Sequence, residues 1–191
     1  MLECAYGGGS TSGSTSPELS IKEKGENEMD IPRYRLLPVE AVANRILFEA
    51  RQRGIQLPTN LMLQKLVYFA QGYALGMLEH PLFGEEIEAW TYGPVVPKLY
   101  RQLKHYDSNP VTEDLPTRGL ITEDSPAAKV IHQVMDDLQG FSASQLIKLS
   151  HAEGSPWAAT WRDSLGRCDV IPLWQMLLYF SEIKESSAKS A

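Results

Sequence analysis

The sequence has few cysteines, no long apolar run and no large excess of positive charge. Its 191 residues include two cysteines, Cys4 and Cys168, which are too few for a disulfide framework or a cysteine-rich zinc site. No apolar run approaches the roughly eighteen residues of a membrane-spanning helix. The formal net charge of −6 disfavours broad binding to phosphate groups. The first residues also lack the basic and apolar segments of a secretory signal, so we expect a cytoplasmic protein without membrane partners.

Recognisable enzyme motifs are also missing. The sequence contains no Walker-type or dinucleotide-type glycine loop, no Gly-x-Ser-x-Gly and no His-Glu-x-x-His. The segment from His151 to Glu153 matches the first half of the zinc deaminase signature, but the Pro-Cys-x-x-Cys half is absent. The four histidines do not have metal-ligand spacing. We therefore expect no catalytic residues, no metal and no cofactor; a hydrolase with an unrecognised site is the alternative.

Length and composition predict one domain with flanking segments. With 43% hydrophobic and 22% charged residues, the chain is typical of a globular protein with one core. Residues 1–28 are rich in glycine and serine and then in charge, which predicts a disordered leader. This leader is either a linker or upstream extension, or a natural tail. We assign residues 29–182 to a single domain and residues 183–191 to a flexible C-terminal tail.

Apolar periodicity predicts a mainly α fold. Apolar residues repeat with helical spacing from Val39 to Ala50, and again from Leu63 to Leu78, where the helix is apolar nearly all round and should be central. Further helices are expected at residues 96–103, 125–140, 142–151 and 172–180, several with serine caps or an early proline, and a short turn with the same cap and proline is expected at residues 155–157. Alternation over residues 87–92 predicts a strand whose partner lies near residues 119–122. The expected architecture is a compact bundle of five to seven helices with one small antiparallel β-hairpin.

One lysine lies within the most apolar predicted helix. Lys65 is the only charged residue between Leu61 and Leu78. We expect it to reach water along its stem or to pair with an acid such as Glu88 or Glu153. Gln64 and Tyr68 lie within one helical turn of Lys65 and complete a small polar cluster in this interpretation. That cluster either stabilises the fold or forms part of a binding groove.

Aromatic residues beside turns suggest a recognition surface. Trp90 and Tyr92 occupy one face of the alternating strand, next to a Gly-Pro bend, and serve either in the core or at an interface. His151 closes the predicted fifth helix and acts either as a C-terminal cap or as a partner contact. The full set of candidate partner-binding residues is Gln64, Lys65, Tyr68, Trp90, Tyr92, Gly93, Pro94, Val95, His151, Glu153, Pro156 and Trp157.

A basic region around the first helix offers a different function. It contains five arginines, at positions 33, 35, 45, 51 and 53, which would suit a DNA-binding transcriptional repressor. The acidic overall charge and the absence of a DNA-reading motif favour a solvated helix face instead. We therefore do not expect nucleic acid as a partner.

Four segments, taken together and in order, carry a family resemblance: Leu63–Tyr73, Pro81–Phe83, Ile87–Pro97 and Leu149–Trp157. They resemble the Panacea antitoxin domain, also described as SocA-like or GepA-like and common in bacteria and prophages. The resemblance spans residues 39–180. It implies a mostly helical antitoxin, encoded beside a toxin, that neutralises the toxin by direct binding. In at least one branch of the family the antitoxin resembles a proteolytic adaptor that delivers the toxin to an ATP-dependent protease. The family supplies no catalytic residues.

Overall fold

Helices dominate the computed structural model, which describes residues 35–190 and the side chains as far as residue 185. The helices are α1 (Val39–Gln52), α2 (Asn60–Leu78), α3 (Pro97–Leu103), α4 (Pro126–Leu138), α5 (Ala143–Ser150), α6 (Pro156–Asp163) and α7 (Leu173–Ser190), with a short 3-10 helix at Lys104–Tyr106. The strands are β1 (Glu88–Trp90) and β2 (Gly93–Val95), which form one antiparallel sheet. The predicted helical bundle with one small hairpin is confirmed.

The structure describes one of the two predicted terminal segments and not the other. The leader assigned to residues 1–28 lies outside the described residues. At the other end, α7 runs on to Ser190, so the backbone is helical through residues 183–190, which the sequence assigned to a tail.

Helix α2 is the centre of the fold, as its apolar sequence predicts. It packs against α1, α4 and α7, and most of its side chains are buried. The contact with α7 is close because two glycines of α2 face Phe180. A Cβ on Gly72 would clash with the Phe180 ring, and one on Gly76 would stand 2.7 Å from the Phe180 carbonyl oxygen. These two positions let α7 approach the backbone of α2.

The helix starts follow the capping residues in the sequence. The Thr59 hydroxyl accepts a hydrogen bond from the Met62 amide at the start of α2. Ser142 and Gln145 form the predicted capping box, in which each side chain accepts a hydrogen bond from the other residue's backbone amide. Such caps typically contribute about 1 kcal/mol each. They fix where the helices that surround the hairpin begin.

The predicted pairing of the strand was wrong. β1 pairs with β2 in the register Glu88–Val95, Ala89–Pro94 and Trp90–Gly93, with residues 91–92 as the loop, while residues 119–122 form no strand. A two-residue loop brings these strands together with little loss of chain entropy, which favours local pairing over a distant partner. The other edge of β1 is bonded as well: the Ala89 amide donates to the Asp169 carbonyl at 2.9 Å. The Ile171 amide donates to the Ile87 carbonyl at 2.7 Å.

Candidate functional site

Lys65 lies beneath strand β2 and is 0% exposed. Its ammonium Nζ donates a hydrogen bond to the Pro94 carbonyl oxygen at 2.8 Å. The predicted pairing with an acid was wrong: within residues 35–185 Lys65 forms no ion pair. Glu88 instead accepts a hydrogen bond from the Trp90 indole at 2.8 Å, and Glu153 is exposed. The lysine stem runs into the core and not to the surface.

Burial alone lowers the pKa of Lys65 to about 7. The cause is the cost of removing the ammonium from water, which no carboxylate of the described residues offsets. A charged lysine has three N–H donors. Pro94 supplies the one hydrogen-bond acceptor that the described residues offer them. The neutral amine is therefore well populated near pH 7.

Two neighbouring residues of α2 hold β2 in place. Gln64 accepts a hydrogen bond from the Val96 amide at 2.9 Å, and its own amide donates to the Asn60 side chain at 3.1 Å. Together with the bond from Lys65 to Pro94, these contacts fasten the backbone on both sides of Val95. The strand is thus fixed from behind by side chains of the central helix.

Gly93 is required where the hairpin crosses Lys65. Its φ is +96°, a region that disfavours residues with a Cβ. A Cβ at this position would also stand 2.8 Å from the Ser150 hydroxyl oxygen and 2.9 Å from Lys65 Cε. Both the backbone conformation and the close approach therefore demand glycine.

Trp157 ties the hairpin to the end of α5. Its indole N–H donates to the Trp90 carbonyl oxygen at 2.9 Å, and this bond is buried. Its ring stacks on His151 with centroids 3.4 Å apart and planes inclined by 2°. Pro156 is buried beside it in the first turn of α6. The Ser155 hydroxyl extends the connection by donating to the Ser150 carbonyl at 2.9 Å.

His151 is the C-terminal cap residue of α5, as one of its two interpretations predicts. Its Nε2 atom is buried and makes no hydrogen bond to the described residues. Burial, and after it the charge of Lys65, lowers the pKa of His151 to about 4. The ring is therefore neutral near pH 7 and stacks on Trp157 without carrying a charge. We call the group formed by Lys65, Ser150 and His151 the Lys65 cluster.

Tyr68 does not join this cluster. Its ring packs edge-on against Phe69 and against Phe180 of α7, with centroids 5.2 Å and 5.9 Å away. Its hydroxyl is buried without a hydrogen-bond partner among the described residues. Burial, with Tyr179 nearby, raises the pKa of Tyr68. Tyr68 belongs to the contact between α2 and α7.

The front of the hairpin borders a groove of about 550 Å³, which we call the hairpin groove. Trp90 is only 7% exposed, and its ring packs edge-on against Tyr100 at 5.0 Å. Tyr92, at the tip of the hairpin, is 50% exposed. The two aromatics that the alternating pattern placed on one face are thus divided between a buried wall and an exposed rim. Gln64 and Val95 also line this groove.

Sequence reasoning missed Ser150 and Tyr100. Ser150 is buried at the end of α5, next to the position of Gly93. Tyr100 lines the hairpin groove and contacts Trp90. Tyr100 lies within the helix predicted at residues 96–103, where apolar spacing indicates packing only. A single serine near a helix end carried no signal, because its importance depends on the approach of Gly93 from another part of the chain.

Two general features can be stated for the part of the chain that the structure describes. It contains no group of three or more histidine, cysteine, aspartate or glutamate residues placed to hold a metal ion. None of its helices combines the length and the apolar character needed to cross a membrane.

Comparisons with known proteins match the same region. The family described as "Antitoxin SocA-like, Panacea domain" matches residues 63–158, which is half of the chain and includes all twelve candidate residues. The antitoxin SocA of Caulobacter vibrioides (strain NA1000 / CB15N) is 37% identical over 126 residues, covering 61% of this chain and 66% of that protein, just under two thirds of its length. No solved structure matches the chain. By the extent of the family match and the agreement of its motifs, the chain belongs to the SocA-like Panacea antitoxin family.

Proposed function

We propose that this protein is an antitoxin that neutralises a cognate toxin, encoded nearby, by binding it directly. Membership of the SocA-like Panacea family supports the antitoxin role. The similarity to a protein named antitoxin SocA supports it as well. In this proposal the protein is not an enzyme and acts in the cytoplasm, where both proteins of the pair are made.

The hairpin groove is the observation that carries the proposal. Four of the candidate residues, at positions 64, 90, 92 and 95, line this one concave surface. Tyr92 stands at its rim and is half exposed. Tyrosine and tryptophan are enriched among the residues that dominate binding energy at protein interfaces. A groove with an aromatic rim suits binding of a protein partner.

Five of the other candidate residues support the hairpin in the free protein. Gly93, Pro94 and Lys65 set the path of β2, while Trp157 and His151 hold the hairpin against α5. Their substitution alters the position of the hairpin. Tyr92 touches the toxin directly.

Co-expression tests the proposal. The product of the adjacent gene, expressed alone, should stop growth, and this protein should restore it. Tyr92→Ala should lose the rescue, because it removes an exposed contact and leaves the core intact. Trp174→Ala is the matched control, since Trp174 is a 62% exposed aromatic on α7 and does not line the hairpin groove. The proposal fails if the adjacent product is harmless alone, or if it stays toxic in the presence of this protein.

An adaptor role is a finer proposal. The bound toxin would be delivered to an ATP-dependent protease, so its lifetime would fall when this protein is present. The half-life of the tagged adjacent product, measured after translation is blocked, should shorten with this protein and recover in a strain that lacks the protease. An unchanged half-life together with restored growth would indicate occlusion alone.

The structure gives no support to the alternative of a DNA-binding repressor. Arg45, Arg51 and Arg53 each lie within 2.7 Å of a carboxylate oxygen of this chain. Their charges are engaged within the fold and do not form a free basic stripe of the kind that binds a phosphate backbone.

A further inference from the structure

Lys65 differs from the other buried charged residues of the described part. Glu40 lies 2.9 Å from the ammonium of Lys98, and Arg45 lies 2.7 Å from a carboxylate oxygen of Glu49. Glu49 is itself paired with arginine. Buried charges are normally paired in this way, because an unpaired charge is costly in a medium of low polarity. Lys65 is buried without an acid partner among the described residues.

A second unpaired group lies in the same cluster. His151 Nε2 is buried without a hydrogen-bond partner among the described residues, and the charge of Lys65 affects the ionisation of that ring. The Ser150 hydroxyl and Lys65 Nζ both lie within 3.0 Å of the point where a Cβ on Gly93 would stand. The Ser150 hydroxyl donates its proton to the Ile147 carbonyl at 2.9 Å and so offers only lone pairs to the cluster. Two nitrogen-bearing side chains, Lys65 from α2 and His151 from α5, therefore meet behind one segment of the hairpin, and the described residues place no acidic side chain beside them.

We propose that the Lys65 cluster binds a carboxylate of the toxin, from an aspartate or glutamate side chain, when the toxin engages the hairpin. This inference rests on the proposed function and names the chemistry of its partner. The Gly93–Pro94 segment moves aside, and Lys65 Nζ exchanges the Pro94 carbonyl for the carboxylate. His151 donates from Nε2 in the tautomer that carries its proton there.

The position of the cluster makes an acidic residue of the partner the fitting occupant. It lies directly behind the hairpin that forms one wall of the hairpin groove, and Gln64, next to Lys65, lines that groove. A carboxylate accepts several hydrogen bonds and offsets the charge of an ammonium, so it satisfies donors that a carbonyl oxygen alone does not.

Binding of a carboxylate should be coupled to uptake of a proton. Lys65 is largely neutral in the free protein at pH 8, because its pKa is about 7. A carboxylate beside the amine favours the ammonium and raises that pKa. Of the other titratable groups around the cluster, His151 faces it from α5, Glu88 of β1 is bonded to Trp90, and Glu153 is exposed. Lys65 is the group that takes up the proton at this pH.

Calorimetry at pH 8 tests the proposal, with the purified product of the adjacent gene titrated into the full chain in phosphate and in Tris buffer. Because these buffers differ in ionisation enthalpy, the difference in heat gives the number of protons taken up. The wild type should take up about one proton. Lys65→Met should abolish the uptake and weaken binding by about tenfold or more. Lys98→Met removes a lysine that pairs with Glu40 and Glu85, and should preserve both results.

The outcomes separate the two proposals. Binding by the wild type without proton uptake would overturn the carboxylate site, whether or not Lys65→Met folds. Equal affinity and equal proton uptake in Lys65→Met would overturn the carboxylate site too. That result is expected if an internal water, and not a carboxylate of the toxin, accepts the hydrogen bonds of the cluster. If the adjacent product does not bind the wild type at all, the proposed antitoxin function fails instead.

Discussion

The buried lysine predicts an unusual dependence of stability on pH. Lys65 has a pKa of about 7 in the folded protein, against an ordinary value of 10.5. Between these values the unfolded chain holds a proton that the folded protein lacks. The free energy of unfolding therefore rises with pH in this window, by at most about 1.4 kcal/mol per pH unit. From pH 7, where Lys65 is half titrated, to pH 9, the expected gain is about 2 kcal/mol.

Urea unfolding followed by far-UV circular dichroism at pH 7, 8 and 9 measures this gain. The test is the difference between the wild type and Lys65→Met, because other titrating groups affect both proteins alike. Lys65→Met should lack the rise of about 2 kcal/mol. Lys98→Met should keep it, because Lys98 is half exposed and ion pairs raise its pKa, which places its effect above this window. Parallel pH profiles for the wild type and Lys65→Met would refute the reasoning and show that the folded protein stabilises a charged Lys65.

Three further predictions concern the hairpin and its support. Gly93→Ala should destabilise the protein by several kcal/mol in chemical unfolding, while Gly154→Ala, also at positive φ but with nothing within 4 Å, should cost only about 1 kcal/mol; equal losses would contradict the close packing at Gly93. Trp90→Ala should lower the free energy of unfolding by about 3–5 kcal/mol because it removes a buried ring, whereas Tyr92→Ala should change it by about 0.5 kcal/mol or less. The pKa of His151 is lowered to about 4, so protonation of the unfolded state should reduce stability as pH falls from 6.5 to 4. His151→Phe should flatten this acid slope relative to the wild type, and an unchanged slope would argue against a buried neutral ring.

The sequence predicted features that depend on neighbouring residues. The capping box at Ser142 and Gln145 follows from spacing of three residues, and the apolar surface of α2 follows from its composition. The cap position of His151 follows from the end of an apolar repeat. These signals are local, so no knowledge of distant contacts was needed.

Features that depend on distant contacts were missed. An isolated charge in an apolar helix predicted that Lys65 reaches water or pairs with an acid, yet a backbone carbonyl 29 residues away accepts its hydrogen bond. The turn before Gly93 lacks the Asn-Gly or Asp-Gly sequence that is typical of a tight hairpin. The partner of β1 was therefore predicted too far along the chain. Tyr68 was grouped with Lys65 by helical spacing, but the approach of α7 determines what its ring contacts.

The small sheet has a further consequence for how a partner can be recognised. On β1 the outer edge is occupied by residues 169–171, and on β2 the Pro94 carbonyl and the Val96 amide are bonded to α2. Neither edge has a row of unpaired backbone groups that an incoming peptide could bind. The hairpin therefore cannot bind a peptide as an added strand. A partner must recognise the hairpin through its side chains and its shape. Discrimination between partners would then reside in the residues along the groove, which can change in evolution without altering the backbone that carries them.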